Sequence, residues 1–180
     1  MINPETLTER FLRYVQIDTQ SDPHSTASPT TEKQKDLGRL LVQELLDLGI
    51  SDAALDEFGY IYATIPSTPG LNDVLKRRIP TICFCAHMDT SPDVTGAGVI
   101  PIIHRQWDGT DIVLPDVAVL GDAPIIIRQK DHPDLAGQVG NDIITASGTT
   151  LLGADNKSGV AAIMAAAEYL MANPDVPHGR

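Results

Sequence analysis

The sequence has no basic run: 13 Lys and Arg stand against 24 Asp and Glu, for a formal net charge of −11. A phosphate backbone would be repelled by that field, which argues against a nucleic-acid partner. No apolar run is long enough to cross a bilayer, and Met1 to Arg10 mixes polar and apolar residues in a way unlike a signal peptide. Cysteine is scarce. Cys83 and Cys85 stand two apart in an apolar stretch, too close for an ordinary disulfide without breaking a strand, and lack the two-residue spacer of structural zinc motifs. Two free thiols buried in a core are the expectation, which fits a reducing compartment and a cytoplasmic location. There is no internal repeat and no low-complexity tract.

What is present is ordinary globular composition: 180 residues, 42% hydrophobic and 21% charged, enough for one domain with a sizeable core. Asn3 before Pro4 is a capping side chain followed by a first-turn proline. Leu7, Phe11, Tyr14 and Val15 then recur at helical spacing, predicting a helix from Pro4 to Gln16. Asp18 to Pro29 reads as a loop. Leu37, Leu40, Leu41, Leu45 and Leu48 mark a second helix, with Gly49 placed to end it. Ala54 to Phe58 and Tyr60 to Ile65 read as two strands joined at Gly59. Thr81 to Ala86 is apolar on both faces, the pattern of a central strand covered by helices on each side. Ser91 to Asn141 reads as an irregular excursion with small strands at Val99 to Ile103 and Ile125 to Arg128. Ile143 to Ala146 is a further strand. A helix after Asp155 takes its apolar face from Val160, Ile163, Met164, Ala167 and Met171, and Asn173-Pro174 ends it. Interspersed helices and strands predict an α/β fold, a central mixed β-sheet with helices on both faces.

Two sites stand where an apolar strand gives way to polar residues. In His87-Met-Asp-Thr90, His87 and Asp89 are two apart and share one face of an extended chain. A neutral imidazole suits zinc, and a neighbouring carboxylate can fix its tautomer; the alternative is a plain structural hydrogen bond. In Gly153-Ala-Asp-Asn-Lys-Ser-Gly159, Asp155 is either the cap of the following helix or a carboxylate able to bridge two metal ions.

The two motifs together resemble the zinc exopeptidase family that includes aminoacylase, glutamate carboxypeptidase and succinyl-diaminopimelate desuccinylase. In that family an H-x-D motif ends one strand and a later G-x-D-x-K-x-G motif supplies a bridging aspartate. Tyr14-Val-Gln-Ile-Asp-Thr-Gln-Ser21, His87-Met-Asp-Thr-Ser-Pro-Asp93, Thr150-Leu-Leu-Gly-Ala-Asp-Asn-Lys-Ser-Gly159 and Pro177-His-Gly179 are closest to the tripeptide aminopeptidases within it. Asn156 departs from them, since a second aspartate is typical there.

The resemblance implies His87 as a terminal ligand of one Zn2+, Asp155 as the bridge between two, and Asp89 as the catalytic residue that orients His87. It implies small peptides, tripeptides, as substrate. It also implies a general-base glutamate in an adjacent Glu-Glu pair. The six glutamates here (Glu5, Glu9, Glu32, Glu44, Glu57 and Glu168) include no adjacent two. The whole chain, 1–180, therefore reads as the N-terminal portion of a metallopeptidase catalytic domain, without its remaining ligands or its lid domain. An N-acyl amino-acid deacylase of the same family and a non-catalytic fragment or binding module are the rival readings. An open sheet edge would favour self-association, including homo-oligomers.

Other candidates are weaker. His24 and His132 lie in polar loops and read as solvated, His104 as cover for a strand edge, and His178 as part of a structural turn. Lys157 lacks the P-loop context. Asp108 to Asp122 lacks the alternate-residue spacing of a calcium loop. Trp107 has no assigned role.

Overall fold

The computed structural model describes residues 2–68, 79–117 and 123–180. Helix α1 runs Pro4–Val15 and starts as expected: the Asn3 side chain accepts a hydrogen bond from the Glu5 N–H at 3.0 Å, and Pro4 occupies the first turn. Its buried face is Arg10, Phe11, Tyr14 and Val15. Helix α2, Gln34–Asp47, buries Leu37, Gly38, Leu41 and Leu45. It ends at Gly49 (φ +87°), where the Gly49 N–H reaches Leu46 O at 2.9 Å and the Ile50 N–H reaches Leu45 O at 3.0 Å. These paired bonds satisfy the last free carbonyls and need a left-handed residue between them.

Strands β1 (Ala54–Leu55) and β2 (Ile61–Tyr62) form a short antiparallel hairpin, shorter than the sequence pattern predicts. Gly38 has no side chain to keep Leu55 away from α2; a Cβ there would sit 3.0 Å from Leu55 Cδ1. The excursion holds β3 (Ile102–His104), β4 (Ile112–Val117) and β5 (Pro124–Ile127). The small strand expected near Val99 begins instead at Ile102, the one near Ile125 is present, and β4 was not foreseen. β4 and β5 are antiparallel, and β3 pairs with β6 (Ile143–Thr145) with Ile103 opposite Ile144. Helix α3 runs Ala154–Ala172.

Two apolar clusters result. The main one joins Phe11, Tyr14 and Val15 of α1 to Leu37, Leu41 and Leu45 of α2 and Val160, Met164 and Ala167 of α3. The second lies inside the excursion, where Trp107, Ile112 and Leu114 are buried against Ile125, Ile127, Leu135 and Ile143. Trp107 thus acquires a role as the anchor of that cluster, its indole N–H donating to Thr110 O at 2.9 Å.

The α/β class holds, but strand pairing among the described residues is confined to three two-stranded sheets. The central strand expected at Thr81 to Ala86 is a correction. This segment belongs to no ladder among the described residues, and Ile82 and Phe84 are 61% and 72% exposed. Cys83 and Cys85 are accordingly exposed free thiols rather than buried ones. The reason is physical: a strand apolar on both faces is buried only where neighbouring strands and covering helices meet it. Here only its far end is covered, through Ala86 and Met88, which pack against the main core.

Candidate functional site

The same segment continues through His87-Met-Asp-Thr90 and is fixed at its end. Thr90 and Gln20 form a parallel bridge; the Thr90 N–H donates to Thr19 O at 3.2 Å and the Ser21 N–H to Thr90 O at 3.0 Å. Thr19 is fully buried, and its hydroxyl donates to Met88 O at 2.6 Å. The turn after α1 is therefore a strap bonded on both sides of Asp89.

The second motif opens α3. Gly153 (φ +79°) turns the chain, and a Cβ there would lie 3.1 Å from Thr90 Cγ2, so the glycine lets the start of α3 close onto the end of the first motif. Asp155 has non-helical backbone angles (φ −90°, ψ 105°), and its side chain meets His87 rather than a backbone N–H of the helix. Asn156 takes a local role instead: its Oδ1 accepts the Gly159 N–H at 3.2 Å, and a Cβ on Gly159 would collide with it.

These two turns bring together the three residues singled out from the sequence. His87 Nε2 lies 3.1 Å from Asp155 Oδ1, across 68 residues of chain. His87 Nδ1 lies 3.1 Å from both the carbonyl and the carboxylate of Asp89. Each ring nitrogen thus faces an oxygen acceptor. Partial burial pulls the His87 pKa down, but the Asp89 carbonyl and the Asp155 and Asp89 carboxylates outweigh it and raise the pKa above its ordinary value. The Asp155 side chain is 94% exposed, leaving its second oxygen open to a ligand. Among the described residues no cluster of three or more His, Cys, Asp or Glu side chains is gathered around one metal position.

Beside the site opens a groove of about 970 Å³. His87, Asp89 and Asn156 contribute to its lining, with Phe58, Tyr60 and Phe84 as apolar wall. Cys83 and Cys85 line it too, but as exposed thiols.

The remaining candidates fall where the bland readings put them. His24 and His132 are exposed, His104 Nε2 is 3.0 Å from Thr145 Oγ1 on the neighbouring strand, and the His178 N–H is tied to Thr68 Oγ1 at 2.7 Å. Asp108 accepts from the Thr110 N–H and hydroxyl in a local turn; the Asp108 to Asp122 stretch runs past the described residues at 118–122. Two residues carry more than the sequence reading gave them. Lys157 is 1% exposed, and its ammonium donates to Ile17 O at 2.7 Å; burial lowers its pKa to about 8, opposed by Asp18. Thr19 clamps Met88. The signal for Lys157 was its place two residues after Asp155, and that for Thr19 its place in the Tyr14 to Ser21 motif, which carried the resemblance without assigning the residue a role.

No protein-family model matches the chain. Curated relatives do. It is 50% identical over 175 residues to peptidase T of Alkaliphilus oremlandii, covering 97% of this chain and 41% of that protein. It is 47% identical over 176 residues to peptidase T of Geobacillus thermodenitrificans, with 98% and 40% covered. It is 45% identical over 175 residues to peptidase T of Bacillus subtilis, with 97% and 40% covered. The chain thus spans about two fifths of the length of these relatives. Among solved structures, the aminopeptidase PepT of Bacillus cereus aligns over 99% of this chain and 35% of its own, with TM-score 0.61 and 24% identity. A Staphylococcus aureus tripeptidase aligns over the same shares with TM-score 0.58. Peptidase T proteins are therefore relatives over nearly all of this chain, in agreement with the motif resemblance, and its fold matches about a third of each of these solved chains.

Proposed function

We propose that this chain is the N-terminal portion of the catalytic domain of a metal-dependent aminopeptidase that releases the first residue of tripeptides. The observation that carries the reading is the 3.1 Å approach of His87 Nε2 to Asp155 Oδ1 in a chain whose relatives are peptidase T proteins. The donor set fits a divalent metal in kind: one imidazole nitrogen and one outward carboxylate oxygen converge, and the other ring nitrogen is already held by Asp89. In this reading His87 and Asp155 would hold Zn2+, and Asp89 would keep the His87 proton on Nδ1 so that Nε2 is free for metal. When bound, zinc supplies Lewis-acid polarisation of the scissile carbonyl and a lowered pKa for water. The residues of this chain bind and orient; a group to move the proton to the leaving amine is not among them, because the sequence has no adjacent glutamates. A cytoplasmic setting and a small free-amine peptide as partner belong to the same proposal.

A second reading is a non-catalytic protein that keeps the motifs without the reaction. The test starts by reading the gene beyond the codon for Arg180 and assaying its complete product with zinc. Hydrolysis of a free-amine tripeptide, abolished by H87A and D155A, is expected. Hydrolysis of N-acyl amino acids instead would assign a deacylase, and a folded product inert on both would leave the non-catalytic reading. The 180-residue chain alone is expected to turn over neither.

A further inference from the structure

We propose that Lys157 is a positioning residue: its buried ammonium locks the Ile17–Ser21 strap onto the start of α3, and the strap holds His87 in register with Asp155. This rests on the metal-site reading above and adds to it a residue that touches neither metal nor substrate.

The two halves of the site come from separate elements, and the hydrogen-bond contact that spans them among the described residues is His87–Asp155. An exposed ion pair of that kind is too weak to align two backbones. What aligns them is behind the site. From α3, Lys157 Nζ donates to Ile17 O at 2.7 Å, at the first residue of the strap. Asp18 next to it is tied to α2 by Lys33 Nζ at 2.8 Å, and its Oδ1 accepts the Gln20 N–H at 3.0 Å. The strap then bonds to the first motif on both sides of Asp89. The Thr19 hydroxyl reaches Met88 O at 2.6 Å, the Thr90 N–H reaches Thr19 O at 3.2 Å, and the Ser21 N–H and hydroxyl each reach Thr90 O at 3.0 Å. Gly153 makes this closure possible, since its missing Cβ leaves room for both Thr90 and the Lys157 stem, 3.1 and 3.7 Å from where it would be.

A lysine 1% exposed is an expensive way to satisfy one carbonyl, and a methionine would fill the same space without burying a charge. A buried cation earns retention by what it specifies, and this one specifies where the strap begins relative to Asp155. Groups supporting metal ligands from behind commonly change metal affinity by 10–100-fold.

The test uses the 180-residue chain with 15N-labelled histidine, comparing wild type, K157M, T19V, T19S and L114A. L114A sits in the separate cluster around Trp107 and supplies a loss of stability remote from the site. In metal-free protein, K157M and T19V are expected to lose the hydrogen-bonded Nε2–H signal of His87. Amide exchange at Ser21 and Thr90 is expected to rise at least tenfold. T19S, which keeps the hydroxyl, and L114A should leave both unchanged. Zn2+ affinity, read by competition with a chromogenic chelator, should fall about tenfold or more in K157M and T19V. Wild-type His87 signals and protection in both K157M and T19V would overturn the proposal, as would an equal effect of L114A. If K157M does not fold, T19V against T19S decides. A wild-type chain whose zinc binding ignores H87A would sink the metal reading, while the metal-free signals still judge the positioning.

Discussion

Replacing Glu44 by alanine is expected to destabilise the fold by about 3 kcal/mol, and the figure can be assembled from its partners. Glu44 on α2 is the acceptor at the centre of a knot between three helices. Tyr14 Oη donates to its Oε2 at 2.6 Å, Arg10 Nε to the same oxygen at 3.2 Å, and Arg13 to Oε1. Arg10 also reaches Glu168 on α3 at 3.0 Å. The Arg13 pair is half exposed and contributes roughly 0–1 kcal/mol. Tyr14 is fully buried and the Arg10 side chain only 9% exposed, so E44A strands a hydroxyl and an Nε–H, each costing about 1–3 kcal/mol. Glu168 still neutralises Arg10, which keeps the total below the worst case for an orphaned buried charge. For a chain of this size about 3 kcal/mol lowers Tm by roughly 6–12 °C. Urea unfolding followed by circular dichroism measures it directly. Y14F removes one hydroxyl and should cost less, and E44A/Y14F less than the sum of the two, because the second change removes a group the first stranded. A cost for E44A under about 1 kcal/mol, or strict additivity, would refute the argument. The same knot pushes the Tyr14 pKa far up, through burial first and Glu44 second. Its stabilisation is therefore complete below the ordinary tyrosine value of 10.0 and is lost as pH rises above it.

Four further outcomes follow from particular residues. G153A should cost about 2 kcal/mol, since alanine at φ +79° is strained and its Cβ crowds Thr90 at 3.1 Å; unfolding in urea checks it. Cys83 and Cys85 should both react with Ellman's reagent in the native chain, without denaturant; two protected thiols would contradict their exposed placement. Burial pushes the Asp18 pKa up, but its hydrogen bonds from Lys33 and Gln20 outweigh that and lower it. Its contribution is thus full above the ordinary value of 3.8 and is lost as pH falls below it, so exchange at Gln20 should quicken there in wild type and lose that step in K33M. Finally, Phe58, Tyr60, Tyr62, Ile82 and Phe84 are all more than half exposed, and light scattering should show concentration-dependent self-association that F84S reduces.

How far the sequence can be read depends on how far away the deciding partner lies. Helices α1, α2 and α3 were legible because cap, stripe and stop signal are all local: Asn3 and Pro4 start one, Gly49 ends another. The candidate site was legible for a related reason. His87 and Asp89 are two residues apart, and Gly153 and Asp155 belong to one turn, so each half carries its own geometry; their meeting across 68 residues came only from the motif resemblance. Thr81 to Ala86 failed the same test. Its apolar residues on both faces say what the strand could bury but not which chain segment would bury it, and among the described residues that cover is missing over Ile82 and Phe84. Lys157 is a different case. Its sequence context excluded only a P-loop role, and the strap laid over it by α1, more than a hundred residues earlier, turns it inward onto Ile17. The two cases share one cause. Burial belongs to pairs of segments, so a residue whose environment is set by a distant partner, whether an apolar strand left open or a cation closed in, has no local signature. The same cause makes Lys157 and Thr19 worth testing: both sit inside motifs read for other residues, and only the contact between distant segments behind the site shows what these two side chains fix.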